Sequence, residues 1–310
     1  MIMEKLTIEQ EELLHRFDEL AEKTGSAKQA ASLIGISAAT ISQIKNGQYA
    51  AAPDNIFRKI AAYVEVKTIA SGTYKEVQYA PTYVSEAACD IMRLCQVKGY
   101  FAVICGDAGI GKTKAIEQYA EEHPTNTVAI TINECFARSK PLLGLIAEKI
   151  GAPREKSADD MWKSVAGKLT DGMLIIIDES QHLSMKTVDM LRSFPDYFKS
   201  IHQTVGICLV GNLETGYRFG TKSSALAQVK SRTRYTATFS SSQAQRSDIA
   251  KLFPLLKIGV NDPEIDFLLK IARSEQGIRG TVNLFSNAYD NDNVSYAGLV
   301  AMAKDMDLQI

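Results

Sequence analysis

The sequence predicts an α/β core on a mainly parallel sheet, with an all-α region before it and a helical region after it. Three observations carry this reading. Short apolar runs at 100–105, 127–132, 173–178 and 204–210 alternate with stretches of helical spacing, as βαβ crossovers require. The run MLIIID, Met173–Asp178, is apolar without alternation until its last residue, as expected of a central strand buried on both faces. GDAGIGKT, Gly106–Thr113, lies between an apolar run and a helical pattern, which is the context a Walker A phosphate loop needs.

From the N-terminus, residues 7–23 carry Leu13, Leu14, Phe17 and Leu20 at helical spacing. A short helix follows at Ala27–Ile34, then a turn at Gly35, an N-cap at Ser37 and a second helix at Ala38–Lys45. Asn46-Gly47 is expected to end that helix in left-handed backbone. This spacing is that of a helix-turn-helix, similar to the phage repressor and Cro type, and residues 1–66 are expected to form it. Its exposed face would offer Ser37, Thr40, Ser42, Gln43 and Lys45 to DNA, with no Arg to grip guanine, so strong sequence specificity is not expected. Residues 67–84 read as a linker, 85–244 as the nucleotide-binding core and 245–310 as a C-terminal helical domain. Within the core, helices are expected at 85–97, up to Glu122, at 139–150 and 159–169, and then to about Ser193, with Pro195 ending or kinking the last. Asp262-Pro263 opens a helix that should run to Gly277, followed by helices at 280–289 and 295–306.

Composition sets limits. Net charge is −1 over 310 residues, so any nucleic-acid contact must come from a local patch. Five cysteines without a CxxC pair suggest buried thiols in a reducing cytosol and no metal-thiolate site. No apolar run approaches the ~18 residues that span a bilayer, and the acidic, polar N-terminus argues against a signal peptide. A cytoplasmic protein is expected.

The chemistry concentrates at strand ends. Backbone N–H groups of Gly106, Asp107, Ala108, Gly109, Ile110, Gly111, Lys112, Thr113 and Lys114 would surround phosphate oxygens; the Lys112 ammonium would reach the outer phosphates and Thr113 would hold Mg²⁺. Asp178, at the end of its apolar strand, is suited to hold Mg²⁺ and Glu179 to polarise an attacking water. The next strand ends in Val210-Gly211-Asn212, which puts Asn212 in reach of a γ-phosphate. From Thr215 to Ser247 there is no Asp or Glu, while Arg218, Lys222, Lys230, Arg232, Arg234 and Arg246 all fall inside. So one-sided a block needs an anion, either a neighbouring subunit's ATP or a DNA backbone. Arg232, in preference to Arg234, would be an arginine finger, and Arg218 and Lys222 would face DNA. Arg279, in GIRGT, would reach the γ-phosphate from the helical domain.

Together these features resemble the AAA+ family of P-loop NTPases, and with the helix-turn-helix they resemble the transposition protein B family of bacteriophage Mu and its prophage relatives. GDAGIGKT, LIIIDESQHL, LVGN and GIRGTVN carry the likeness. The resemblance implies an ATPase using ATP and Mg²⁺ that assembles as a filament or ring on double-stranded DNA with little sequence preference. It would deliver that DNA to a transposase of the MuA type, in a bacterial cytosol. Arg232 of one copy would complete the site formed by Lys112, Thr113, Asp178, Glu179 and Asn212 of the next. The absence of a densely basic C-terminal region departs from that pattern. A helix-turn-helix transcription regulator that binds ATP, or a helicase loader, would use the same parts.

Overall fold

The computed structural model of the chain describes residues 6–220, 233–256 and 262–308. It contains two compact units, Met1–Tyr74 and Lys75–Ile310.

The first unit consists of four helices, α1 (Ile8–Thr24), α2 (Ala27–Ile34), α3 (Ala38–Lys45) and α4 (Asp54–Gly72). Thr7 and Gln10 close a reciprocal capping box at the start of α1, each side chain accepting from the other's backbone N–H. Gly35 turns α2 into α3 with φ of 73°. Small Ala30 and Ala31 let α2 approach its neighbours closely, and Phe17, Ile41, Ile44, Phe57 and Ile60 fill the space between the helices. Two local expectations are corrected. The Ser37 side chain makes no capping bond to α3. Asn46 keeps φ at −88°, and Gly47 alone takes the left-handed conformation. The backbone of α4 stays helical through Gly72, where the sequence suggested a linker from Lys67. Glycine in a final turn carries little of its interior penalty, so the Ser-Gly pair does not stop the helix earlier.

The second unit begins with α5 (Tyr83–Lys98) and a parallel sheet of β1 (Phe101–Gly106), β2 (Thr127–Thr131), β3 (Met173–Asp178), β4 (Val205–Gly211) and β5 (Thr233–Phe239), ordered β2-β3-β4-β1-β5. The continuous apolar runs resolve into period-two alternation between two buried faces. Phe101, Val103, Ile175, Ile177, Ile207 and Leu209 face α7 (Ser139–Ile150), α8 (Ala158–Lys168) and α9 (Met185–Ser200). Ala102, Ile104, Leu174, Ile176, Cys208 and Val210 face α5 and α6 (Lys112–Glu122). A short helix, α10 (Leu213–Phe219), follows β4. Helices α11 (Arg246–Leu252), α12 (Pro263–Ala272), α13 (Gly277–Asp290) and α14 (Tyr296–Asp305) close the unit. Phe253 and Phe285 pack together there, their rings tilted by 34° with centroids 4.4 Å apart.

Helix α9 runs through Pro195 instead of ending near Ser193. Interior proline costs about 3 kcal/mol. Phe194 and Phe198 are almost wholly buried on either side of it, and each such side chain repays about 1.5–3 kcal/mol. Helix α12 stops at Ala272, and Gly277 opens α13 rather than closing the helix before it. Strand β5, at 233–239, is an element that the sequence pattern does not predict. Its threonines at 233, 236 and 238 suit the sheet edge beside β1.

Candidate nucleotide site

The strand order decides what meets what. β4 lies between β1 and β3, so the end of β4 emerges between the phosphate loop after β1 and the acidic pair after β3. In open parallel sheets the crevice beyond the carboxyl ends of the strands is where ligands bind. Here Thr113, on the first turn of α6, donates its hydroxyl hydrogen to Asp178 Oδ2 at 2.8 Å. Two residues 65 positions apart thus converge on one point. A hydroxyl beside a carboxylate is a hard-oxygen donor pair, the kind Mg²⁺ takes alongside water and phosphate. These residues therefore fit that ion.

Lys112 is half-buried at the same loop and donates to the carbonyls of Gly106 at 2.9 Å and Asp107 at 2.6 Å. Burial lowers the pKa of its ammonium, against the opposing pull of Asp178, Glu179 and Asp107. Burial raises the Asp178 carboxyl, although the Thr113 hydroxyl and the Glu179 backbone N–H, at 2.9 Å, stabilise its ionised form. The lowered lysine and raised aspartate both reflect withdrawal of charge from water, a pattern common at functional sites.

The loop from Gly106 to Gly111 is braced from the C-terminal helices. The N–H of Arg279 donates to the Gly109 carbonyl at 2.9 Å. Gly277 takes φ of 63° directly against the loop, and a Cβ added there would lie 2.9 Å from the Ala108 carbonyl oxygen. Glycine is what permits this docking. Arg279 itself is exposed at the rim. Asp107 accepts from the Ser241 N–H at 2.8 Å, which fixes the loop from its other side. Lys114 is exposed and pairs with Glu117 at 2.9 Å. Only its backbone N–H remains a candidate for phosphate.

Asn212 caps α10, its Oδ1 accepting from the Thr215 N–H at 3.3 Å. The cap occupies the acceptor of the amide, while a phosphate oxygen requires its donor, Nδ2. Glu179 follows β3 with φ of 57°, a left-handed conformation rare outside glycine, and its carboxylate is held by the Gln181 side chain. Sequence reasoning missed Gln181, whose type and spacing match no catalytic pattern. It also missed a narrow slot beside the loop, lined by Thr82, Val84, Ile110, Ala244, Ala272 and Ile278, which four separate segments build together.

Two side chains of the basic block, those of Arg218 and Arg246, lie among the described residues. Arg218 turns inward: its guanidinium donates to the carbonyls of Gln181 and Leu183, the latter at 2.9 Å, and lies over the Phe219 ring at 4.8 Å. It also lies 3.4 Å from the exposed Glu214 carboxylate, and about a third of its side chain stays open to solvent. Arg246 pairs with Asp266. Lys222, Lys230 and Arg232 lie outside the described residues, and Arg234 is described only as backbone within β5. In the N-terminal unit, Ser37 just before α3 and Ser42 and Gln43 on it are exposed and Thr40 is half-buried, while Lys45 is paired with Asp18 and sits over the Phe17 ring. Among the described residues no cluster of His, Cys, Asp and Glu is arranged to hold a metal, and no helix is long and apolar enough to cross a membrane.

A phosphate loop, a buried acidic strand end and a strand inserted between them, closed by a helical lid, define a P-loop ATPase of the AAA type. The family described as AAA domain matches residues 96–215. The Aeropyrum pernix ORC2 protein shares this fold, with a TM-score of 0.53 at 16% identity over 71% of this chain and 66% of that one. The DNA transposition protein B of the Mu-like prophage FluMu of Haemophilus influenzae is 28% identical over 199 residues, 62% of this chain. The match spans 66% of that protein, just under two thirds of its length. The ATP-dependent target DNA activator B of Escherichia phage Mu is 24% identical over 259 residues, 81% of this chain and 79% of that one. By these similarities the chain resembles the transposition protein B proteins of Mu-like phages.

Proposed function

We propose that the protein is an ATP-dependent, sequence-tolerant DNA-binding ATPase that assembles on target DNA and presents it to a transposase. The observation that carries this reading is the convergence of Lys112, Thr113, Asp178 and Glu179 at one crevice, in a chain whose relatives are named transposition protein B and ATP-dependent target DNA activator B. Those names favour target delivery over an operator-reading regulator or a helicase loader.

In this reading backbone N–H groups of 109–114 hold the β- and γ-phosphates at the positive end of α6. Lys112 neutralises charge on the outer phosphates. Thr113 and Asp178 would hold Mg²⁺, which supplies charge neutralisation between the β- and γ-phosphates when bound. Glu179 accepts a proton from the attacking water as its oxygen bonds to the γ-phosphorus and the bond to the β–γ bridging oxygen breaks. Asn212 donates to a γ-phosphate oxygen from one side and Arg279 from the lid. Arg232 of an adjacent copy completes the charge. Exposed α3 residues and Lys222 contact the DNA backbone weakly in each copy, and assembly adds these contacts together.

Electron microscopy of the protein with Mg²⁺, a slowly hydrolysed ATP analogue and random-sequence duplex tests the reading. Filaments or rings around DNA are expected with nucleotide and none without it. Equal binding to random duplex in the absence of nucleotide would defeat the coupling.

A further inference from the structure

The carboxylate of Glu179 is tied to the neighbouring strand through one side chain. Gln181 donates from Nε2 to Glu179 Oε2. The other end of the same amide, Oε1, lies 3.4 Å from both the backbone nitrogen of Asn212 and the hydroxyl of Thr215, accepting from each. The Gln181 main-chain carbonyl is in turn gripped by Arg218 from α10. Glutamine is suited to this place because its amide donates at one end and accepts at the other; glutamate lacks the donor and leucine lacks both.

A second, independent observation concerns the last residue of β4. A Cβ built on Gly211 would lie 2.6 Å from Gln181 Oε1 and 2.2 Å from Thr215 Oγ1. The amide crosses the strand end at a point where only glycine leaves it room. The Gly in LVGN thus has a local physical reason that lies in the side chain of the loop opposite.

We propose that Gln181 is the positioning residue linking Glu179 to the phosphate-facing end of β4, so that the state of Asn212 and Thr215 fixes the direction of the catalytic carboxylate. This rests on the reading of Glu179 as the acceptor of the water proton. Glu179 has left-handed backbone and is half-exposed, and its bond to Gln181 engages one carboxylate oxygen, which leaves the other to accept from a water. A shift of the β4 end on contact with a γ-phosphate reaches the carboxylate through a single amide.

The test compares Gln181→Glu, Gln181→Leu and Gly211→Ala with the parent chain. Steady-state ATP hydrolysis with duplex DNA is measured beside the affinities for fluorescent ADP and a non-hydrolysable ATP analogue, and beside the melting temperature. We expect kcat to fall on the order of 10-fold or more, the scale on which misplaced catalytic groups lose rate, with KM and both affinities within about 2-fold. Adding Thr215→Val to Gln181→Leu should bring no further loss of kcat, because the link is already cut. Parental kcat in both Gln181 variants would overturn the proposal. So would a loss matched by equal losses of nucleotide affinity and melting temperature, which describes a structural brace. Glu179→Gln, run in parallel, separates the two levels. If it hydrolyses ATP normally, the reading of Glu179 fails and the proposal with it; if it is inactive while Gln181→Leu and Gly211→Ala turn over normally, only the proposal fails.

Discussion

The two compact units use their polar residues in opposite ways. In the N-terminal unit the candidate DNA-facing groups lie on one eight-residue helix, and its one cation, Lys45, is spent on a neighbouring helix at Asp18. In the second unit the polar groups come from segments spread from Asp107 to Arg279, and they meet. Convergence of distant residues at a strand end carries information that the surface of a single helix does not, because random packing rarely gathers a lysine, a hydroxyl and two carboxylates. The nucleotide site is therefore specified by its geometry, while the α3 surface is specified only by its exposure.

The largest expected effect follows at the converging site. Lys112→Ala removes the ammonium that burial has already made costly and that phosphate charge would compensate. Nucleotide affinity should fall on the order of 100-fold or more, as for other buried charged partners, and nucleotide-dependent DNA binding should vanish with it. Fluorescent-nucleotide titration checks the first effect and gel shift the second. Unaltered affinity would break the contrast, since it would leave the convergent site no more consequential than α3. Glu179→Gln should act on a different step: hydrolysis falls by about 10²–10⁴-fold, the usual contribution of a general base, while affinity for ATP stays close to parental.

A pH profile sharpens the same point. The Asp178 carboxyl is raised by burial, so its ionised form, needed to hold Mg²⁺, is lost on acidification at a pH above the ordinary carboxylate value of 3.8. The Lys112 ammonium is lowered by burial, so its positive charge is lost on alkalinisation below the ordinary 10.5. Mg²⁺-dependent nucleotide affinity should therefore occupy a window narrowed from both sides, which titration at a series of pH values would trace. The acid limb should disappear from binding measured without Mg²⁺, because Asp178 then has no ion to hold.

Much of this was legible in sequence, for reasons that differ by residue. GDAGIGKT and MLIIIDE are contiguous, so backbone geometry and side-chain chemistry appear in one stretch of letters. The helix bounds of α2 and α3 were equally plain, since Gly35 and the apolar spacing act over a few residues. Charge counting alone does not give the partners of Arg218, whose guanidinium donates to two carbonyls of the loop after β3 and lies beside Glu214. Helix α9 outran its proline because the burial of Phe198 lies beyond any local rule. Gln181 was invisible for a deeper reason. Its partners are Glu179, Asn212 and Thr215, and only the strand order brings β4 beside β3.

The smallest expected effect tests the weaker half of the comparison. Lys45 is exposed on α3, yet its ammonium is paired with Asp18 on α1 and lies 5.8 Å from the Phe17 ring centroid. A surface pair of this kind stabilises by roughly 0–1 kcal/mol, so cutting it should leave the fold in place. Asp18→Asn removes a negative charge from the same surface and returns a full positive charge to the end of α3. If this helix meets the DNA backbone, affinity for random duplex in the presence of ATP should rise about 2–5-fold. The slope of log affinity against log salt should steepen by roughly one unit, the signature of one added phosphate contact. Lys45→Ala in the Asp18→Asn background should abolish both changes. An unchanged salt slope in Asp18→Asn would place the DNA contact elsewhere in the chain and leave α3 a helix packed for its own unit.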